Sequence, residues 1–585
     1  MQLQLFSTEY PMIRIFSMAR RAGDGDRAGQ TYLWWAFAAT LLTFLCCAHL
    51  FVVLSFIAGR SITPEVAPAA FVIAVLVIDR WLRRDGAHPR QRGIIYLGSA
   101  AVVAGACLLA GLFYDMSWDG LWYHQTAVYQ MAHGWNPVKD PMHAFTPHLQ
   151  DWVRHYAKGP WYIALTLYST TGSIEMAKAT PWIALVAAFA AGFALMQDLG
   201  LSRFRGALIA LLVAANPVTV FELPSYLVDG LMISFLACFV AALVQWFRKP
   251  VPLITWLLVV STVLTINAKQ TGLVYLCFAV AAGGVYLLLE RRTLIARYAV
   301  LMSGLVIVGC AAFGYNPYVT NTIHRGHPFY PMLGTAAYPS LAQQGDDPIE
   351  KWETPHNMMG RSRFVRLGYA LFGRPGAQPY YPGEDARLMV PGDVGPSDFA
   401  IYYFHDVRIA GFGPLFSVAF ILALILVGIA ITRRAVPPAV VIILAGAIVC
   451  SLLVSEHTWW ARYGPQLWWF PLLALFTGLI DGAGRAARTL AWLLAIVILV
   501  DLLPIAAVHF GWEVQATRTT HQQLEMLRGK EGIEADMQYF GEPFGERMKH
   551  AGVTFTAVQK LPCAQPMELM SVSPGYPCAV RVCFK

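Results

Sequence analysis

Charge is scarce in this chain. Asp, Glu, Lys and Arg make up 13% of 585 residues, against 57% hydrophobic residues. A soluble protein normally carries about a quarter of its residues charged, so an ordinary soluble architecture is excluded. Nucleotide signatures are missing as well. There is no P-loop and no Gly-x-Gly-x-x-Gly opening a helix after a strand, so a nucleotide-driven reaction has no support. No His-Glu-x-x-His occurs, and His324, Arg325 and His327 in HRGHPFYPM match no standard zinc spacing. No internal repeat or low-complexity segment is visible. The apolar runs do not alternate in polarity, which excludes the strands of a membrane β-barrel.

What the chain has instead is a series of apolar runs near the length that crosses a bilayer. Hydropathy places spans near 32–58, 65–82, 94–113, 177–197, 205–220, 226–247, 251–267, 272–289, 297–315, 412–431, 436–454, 466–480 and 488–508. The expected fold is an all-α polytopic membrane protein of about 13 transmembrane helices, with extracytoplasmic loops and a small α/β C-terminal appendage. Residues 1–31 read as a cytoplasmic tail, with Arg14, Arg20, Arg21 and Arg27, rather than as a cleavable signal. Residues 32–93 form two spans and a basic loop. Residues 94–315 form the central module, whose first large outer loop is 114–159. A second large loop covers 316–408, further spans 409–508, and an outer C-terminal domain 509–585.

The net charge of +8 is a topology signal, not a nucleic-acid one. Basic residues gather in DRWLRRDGAHPRQRG and at Arg203/Arg205, Arg248/Lys249, Arg291/Arg292/Arg297, Arg433/Arg434 and Arg485/Arg488. All fall on the cytoplasmic side if the N-terminus is inside, as the positive-inside rule requires. Both long loops and the C-terminal tail then lie outside together. Seven cysteines sit in apolar runs and read as small buried hydrophobes. Cys563, Cys578 and Cys583 lie in the tail, where an oxidising compartment allows one disulfide among the three.

The stretch YDMSWDGLWYHQTAVYQMAHGWNP, 114–137, carries Asp115 and Asp119 at the mouth of a span. Carboxylates there are costly unless water or substrate meets them; helix capping is the plain alternative. Leu121–Trp135 can form an interfacial helix, since Trp122, Tyr129 and Trp135 suit a half-wet membrane boundary. Pro160–Thr171 is too short to span and reads as re-entrant or interfacial. Arg154 and Lys158 are the cations beside it. They suit a lipid phosphate, or simply snorkel to the headgroups. Lys269 in INAKQTG, Asp229 at the outer end of its span, and Arg462 in HTWWARYGPQ are further outer-face candidates.

These residues resemble a family, the GT-C superfamily of membrane glycosyltransferases. Its protein O-mannosyltransferases and lipid A aminoarabinose transferases carry Asp-Glu-x-x-Tyr in the first outer loop. The matching positions here are Asp119, Gly120 and Tyr123, followed by His124, so Gly120 stands where the family has Glu. Lys158–Pro160 is similar to the family's lysine-bearing loop, and Asn267–Gly272 to its later Lys-x-x-Gly. The resemblance implies inverting transfer of a sugar from a polyprenyl-phosphate donor to a glycan, lipid or protein acceptor. It implies Asp119 as general base with Asp115 in support. With the positions read above, the residues expected to bind substrate or lipid phosphate are Lys158, Arg154, His124, Tyr123, Lys269, Arg462 and Asp229. The partners are then the lipid-linked donor, the acceptor and membrane lipids, without nucleic acid. No metal ligand is assigned and no cofactor is indicated, though a divalent metal is not excluded. The expected location is the bacterial inner (cytoplasmic) membrane, with the site facing the periplasm.

Two other classes stay open. An O-antigen ligase or polysaccharide polymerase would use Arg and His in a large outer loop, and RGHP with RSRFVR fits that pattern. A transporter would put ionisable residues near midplane, in repeated halves. The orientation itself is directly testable. A cysteine introduced near Gly345 or Gln523 should react with an impermeant thiol reagent on intact cells. Labelling only after the cells are opened would overturn the orientation.

Overall fold

A computed structural model describes residues 25–584, apart from 346, 348, 377–384, 435 and 575–578. Arg14, Arg20 and Arg21 of the basic tail, and Cys578, lie outside the described residues. The fold is mostly helical. Among the described residues, eight helices are long and apolar enough to cross a membrane, by length and composition.

The expected count of about 13 spans is not confirmed, and the runs that fall outside the eight differ from them locally. Val66–Arg84 carries Asp79, Arg80, Arg83 and Arg84 in its second half. The run 205–220 is interrupted at Asn216, which accepts a bond from Val218 N at 3.0 Å and caps the short helix Pro217–Glu222. Pro252–Ala268 has 17 residues and Pro438–Leu452 has 15. At 1.5 Å per residue these are about 26 and 22 Å long, less than the ~30 Å hydrocarbon layer. The run 466–480 begins as the tight turn Pro465–Trp468 and leaves only Trp469–Leu479 as α-helix.

Apolar side chains build two helical cores. One runs from the first helix, Gly25–Ile57, to Ile295–Val308. The other joins Arg203–Ala214 to the C-terminal helices. A cavity of about 310 Å³ lies between them, lined by residues of both, including Leu236, Phe247, Tyr286, Val440, Gln466 and Phe476.

The two ends of this assembly differ. At one end basic side chains tie short loops together. Arg205 donates to Leu479 O at 3.1 Å, Arg248 to Asp198 O at 2.7 Å and Arg291 to Phe247 O at 2.7 Å. The long polar loops and the C-terminal domain meet at the other end.

Residue 509, the expected start of that domain, lies inside a longer helix. Arg485–Leu527 is one helix of 43 residues, about 64 Å long and twice a bilayer core. HQQLEML is its last part rather than a separate helix. Beyond it, four strands pair in the order β2-β1-β4-β3. They are β1 (Ile533–Asp536), β2 (Phe555–Ala557), β3 (Met567–Leu569) and β4 (Val580–Cys583). Helix Gly541–His550 supplies the crossover that a parallel β1–β2 pair needs. Ala535 faces Val582 across the antiparallel β1–β4 pair, and Cys563 is bonded to Cys583.

The domain is clamped onto the first outer loop. Leu121 packs with Leu527, Ile533 and Phe544 in one apolar cluster. Ser573 N donates to Met116 O at 2.9 Å, and buried Arg547 donates to Glu175 Oε1 at 2.6 Å and Asp115 O at 2.8 Å. Removing one partner of a buried ion pair typically costs about 3–5 kcal/mol. Arg547→Ala should therefore loosen the domain and speed tryptic cleavage around Arg528–Lys530 in the detergent-solubilised protein. An unchanged cleavage rate would show that Arg547 does not hold the domain down.

Candidate functional site

After helix Pro89–Gly111 the chain turns sharply, and Asp115 makes the turn. Its fully buried carboxylate accepts from Ser117 N at 2.8 Å, Ser117 Oγ at 2.6 Å, Gln125 Nε2 at 3.2 Å and Tyr226 N at 2.9 Å. Glycine is required next to it, because a Cβ on Gly120 would overlap the Asp115 carboxylate. The Glu of the resembled motif cannot stand at 120 while Asp115 holds this place. Ser117 Oγ accepts from Gly120 N at 3.2 Å, so Ser117 bonds the start of the next helix. Asp119 makes no cap bond there. Capping, the plain alternative for Asp119, is set aside.

Asp119 turns instead to Arg462. That arginine sits on the short turn Ala461–Tyr463, behind Trp459 and Trp460, and is 5% exposed. Its planar fork reaches three carboxylates. Nη2 is 2.8 Å from Asp119 Oδ2, Nε 2.9 Å from Asp229 Oδ2 and Nη1 3.5 Å from Asp406 Oδ2. A guanidinium has donors in several directions in one plane, which an ammonium lacks. The second oxygen of Asp229 accepts from Lys269 Nζ at 2.5 Å. Lys269 is one extended residue between helices Pro252–Ala268 and Gln270–Glu290, and its Nζ lies 4.8 Å over the Tyr463 ring.

Electrostatics follow from burial and neighbours. Burial opposes the charge of Arg462, but Asp229 and then Asp119 outweigh it and hold the group well above its usual pKa. Burial pushes Asp406 up, against the pull of Arg408 and Arg462. Burial, with Arg462 and Lys269, drives His124 well below the usual histidine value. That imidazole is therefore neutral. Its Nδ1 accepts from Trp161 Nε1 at 2.7 Å, and its buried Nε2 has no hydrogen-bond partner. Burial, then Asp119, raises the neighbouring Tyr123 phenol well above its usual range.

Exposure separates the acids. The Asp229 side chain is 1% accessible and that of Asp119 22%. Asp119 opens into a small pocket with Ser117, Trp118, Leu227, His405, Asp406, Arg462 and Ser573. Its volume is about 10 Å³, room for about one water.

Four expected residues thus meet: Asp119, Asp229, Lys269 and Arg462. Tyr123 and His124 stand beside them. Lys158 and Arg154 do not join. Gly159 packs so tightly on the Asn267 carbonyl that a Cβ would lie 2.6 Å from it. Lys158 Nζ is buried and donates to Arg154 O at 2.9 Å and Tyr156 O at 2.7 Å. Burial puts its pKa well below the usual value. Arg154 Nε donates to His143 O at 2.7 Å. Lys158 thus faces backbone carbonyls and Arg154 Nε faces His143 O, and neither belongs to the Arg462 cluster. Asp115, expected as a supporting acid, is buried among four donors and holds its loop. The helix from Gln125 to Ala132 buries Thr126, Ala127, Val128 and Met131, so it does not lie exposed on the membrane surface. His327 Nδ1 accepts from Phe329 N at 3.1 Å, and Arg325 lies 5.4 Å over Tyr330; both serve their own loop.

Sequence reasoning passed over Asp406, His405 and Glu222. The signal for the first two was FHDVR, 404–408, a run with three ionisable residues just before an apolar stretch. Glu222 accepts from Gly230 N at 2.7 Å, and burial, then Asp229, raises its pKa well above the carboxylate range. Comparison with family models, with curated proteins and with solved structures finds no match.

The burial difference generates a stability prediction. Asp229→Asn leaves two cations without their shared anion in a dry site and should cost about 3–5 kcal/mol. Asp119→Asn, at the wet edge, should cost no more than about 1 kcal/mol. Thermal unfolding of the two purified variants checks this. Equal losses would mean that Asp229 is not the keystone anion.

Proposed function

We propose that the chain is a membrane glycosyltransferase. It transfers a sugar from a polyprenyl-phosphate donor to a hydroxyl of a glycan, lipid or protein, with inversion, and Asp119 is the general base. The carrying observation is that Asp119 is the accessible carboxylate on an otherwise buried Arg462 fork. In an envelope bacterium the reaction belongs on the periplasmic face of the inner membrane, where the basic-loop pattern puts this end of the protein.

Two features support a lipid-linked donor. The cavity between the helical cores is apolar and runs along Leu236–Phe247, about 16 Å of helix rise. It ends at Tyr275 and Gln466, and Tyr275 Oη donates to Tyr463 O at 2.6 Å, one residue from Arg462. A prenyl tail in the cavity would leave its phosphate near the ion cluster.

The chemistry balances within the cluster. The acceptor oxygen forms a bond to the anomeric carbon as the bond from that carbon to the phosphate oxygen breaks. The electron pair leaves with the lipid phosphate, and the acceptor proton passes to Asp119. A carboxylate is a weak base for an alcohol, so the proton moves late, once bonding has made the oxygen acidic. Protonated Asp119 no longer holds the guanidinium by charge. Arg462 Nη2 is then released toward the departing phosphate, and the charge it neutralises moves from base to leaving group. The pocket holds about one water, so Trp118 and Ser573 must shift to admit a sugar.

Two measurements test the reading. Mass spectrometry of lipids retained on gently purified protein should find a polyprenyl-phosphate sugar. With that lipid as donor, Asp119→Asn should lower turnover by roughly 10²–10⁴-fold while donor binding is retained. A folded Asp119→Asn protein with near-normal turnover would end the mechanism.

A further inference from the structure

A second cluster lies behind the pocket, and the reaction proposed above does not use it. His509 and Glu513 are four residues apart on helix Arg485–Leu527, so they share one face. His405 meets them from the loop after Tyr403. All three are buried, at 4% exposure for His405 and 0% for the other two. One donor atom from each lies within 4.8 Å of the others, and His405 Nε2 is 3.0 Å from Glu513 Oε1.

This arrangement is costly as it stands. Neither ring nitrogen of His509 has a hydrogen-bond partner, and neither does Glu513 Oε2. The backbones of Phe221, Tyr402 and Tyr403 are close to His509 without meeting bonding geometry. Each buried orphan of this kind costs about 1–3 kcal/mol. An ion pair between His405 and Glu513 accounts for one contact and leaves His509 with nothing.

We propose that His405, His509 and Glu513 bind a divalent transition ion, zinc by the nature of the donors. Two imidazoles and one carboxylate suit zinc, whereas magnesium and calcium take oxygen shells. Donors in a tetrahedral zinc shell lie about 3.3 Å apart, so the widest of the three separations, no more than 4.8 Å, closes as the ion binds. His405 Nδ1 is 3.4 Å from Ser573 Oγ. A proton shared there leaves Nε2 free for the metal, the usual outer-shell arrangement. The ion pins the 404–408 loop to the long helix. It thereby fixes Asp406, the next residue, against Arg462, and holds His405 in the wall of the Asp119 pocket. It is a positioning metal, and its presence does not depend on the transferase reading.

The test is metal analysis of untagged full-length protein, purified in detergent without chelator. About one zinc per chain is expected. His509→Gln and Glu513→Gln should lose it, while His550→Gln, at an exposed site in the C-terminal domain, should keep it. Stripping the wild type should lower its melting temperature, and added Zn²⁺ should restore it, in Asp119→Asn as in wild type. Where a variant fails to fold, X-ray absorption at the zinc edge of the wild type decides, and two imidazole nitrogens in the shell are expected. Protein that neither retains nor takes up Zn²⁺ overturns the proposal. So does zinc that persists in the folded His509 and Glu513 variants, or a shell without imidazole.

Discussion

A guanidinium removed from water organises this molecule. Burying an isolated cation costs several kcal/mol, and the cost is offset only when anions with good geometry surround it. Arg462 is 5% exposed, and its anions come from three distant segments: the first outer loop, the start of a central helix, and the 404–408 loop. Lys269 adds a further segment through Asp229. Each segment belongs to a different part of the helical assembly. If one moves, it leaves an unpaired charge in a dry place, so the network fixes the relative positions of helices whose apolar contacts alone are forgiving.

The broken helices follow from the same requirement. An α-helix satisfies its backbone along its length and leaves free N–H and C=O groups only at its ends. The chain stops helices early at Ala215–Pro217, at Lys269 and at Gly464–Pro465. Irregular backbone at membrane depth is tolerated where it is buried in protein or lines a cavity. Asn216 shows how the freed groups are satisfied, since its Nδ2 donates to Pro465 O at 2.8 Å and joins two of these breaks. The short spans reflect the building of a polar chamber at one end of an apolar bundle.

The C-terminal domain closes that chamber. The 43-residue helix carries it clear of the apolar layer and supplies His509 and Glu513 on the way. Ser573 lines the Asp119 pocket from this domain, and Arg547 anchors it on the carbonyl of Asp115. It meets the first loop through an apolar contact at Leu121, a backbone bond at Met116 and the bond from Arg547 to Asp115 O, and Arg547 also pairs with Glu175 just beyond that loop. Access to the pocket is therefore tied to how firmly a small disulfide-bonded domain sits.

The sequence by itself determined the class of the protein, because scarcity of charge and apolar runs near 20 residues are properties of composition. It separated the basic loops from the long polar loops, and in the structure these two groups do occupy opposite ends. It singled out Asp119, Asp229, Lys269 and Arg462 as charges in places where charge is expensive. What it could not decide was which charges meet. Asp119 and Arg462 are 343 residues apart, and Asp229 and Arg462 233, and no periodicity spans such distances. Lys158 and Asp115 looked as available as the others. Tertiary packing turned Lys158 into carbonyls and enclosed Asp115 among four donors. The span count of about 13 is not confirmed, and hydropathy, which averages over a window, misses a single Asn or Lys that unwinds a helix end. Local composition reports what a segment can tolerate. Only the fold brings together groups whose charges must be neutralised at a distance, because that neutralisation is a property of pairs and not of residues.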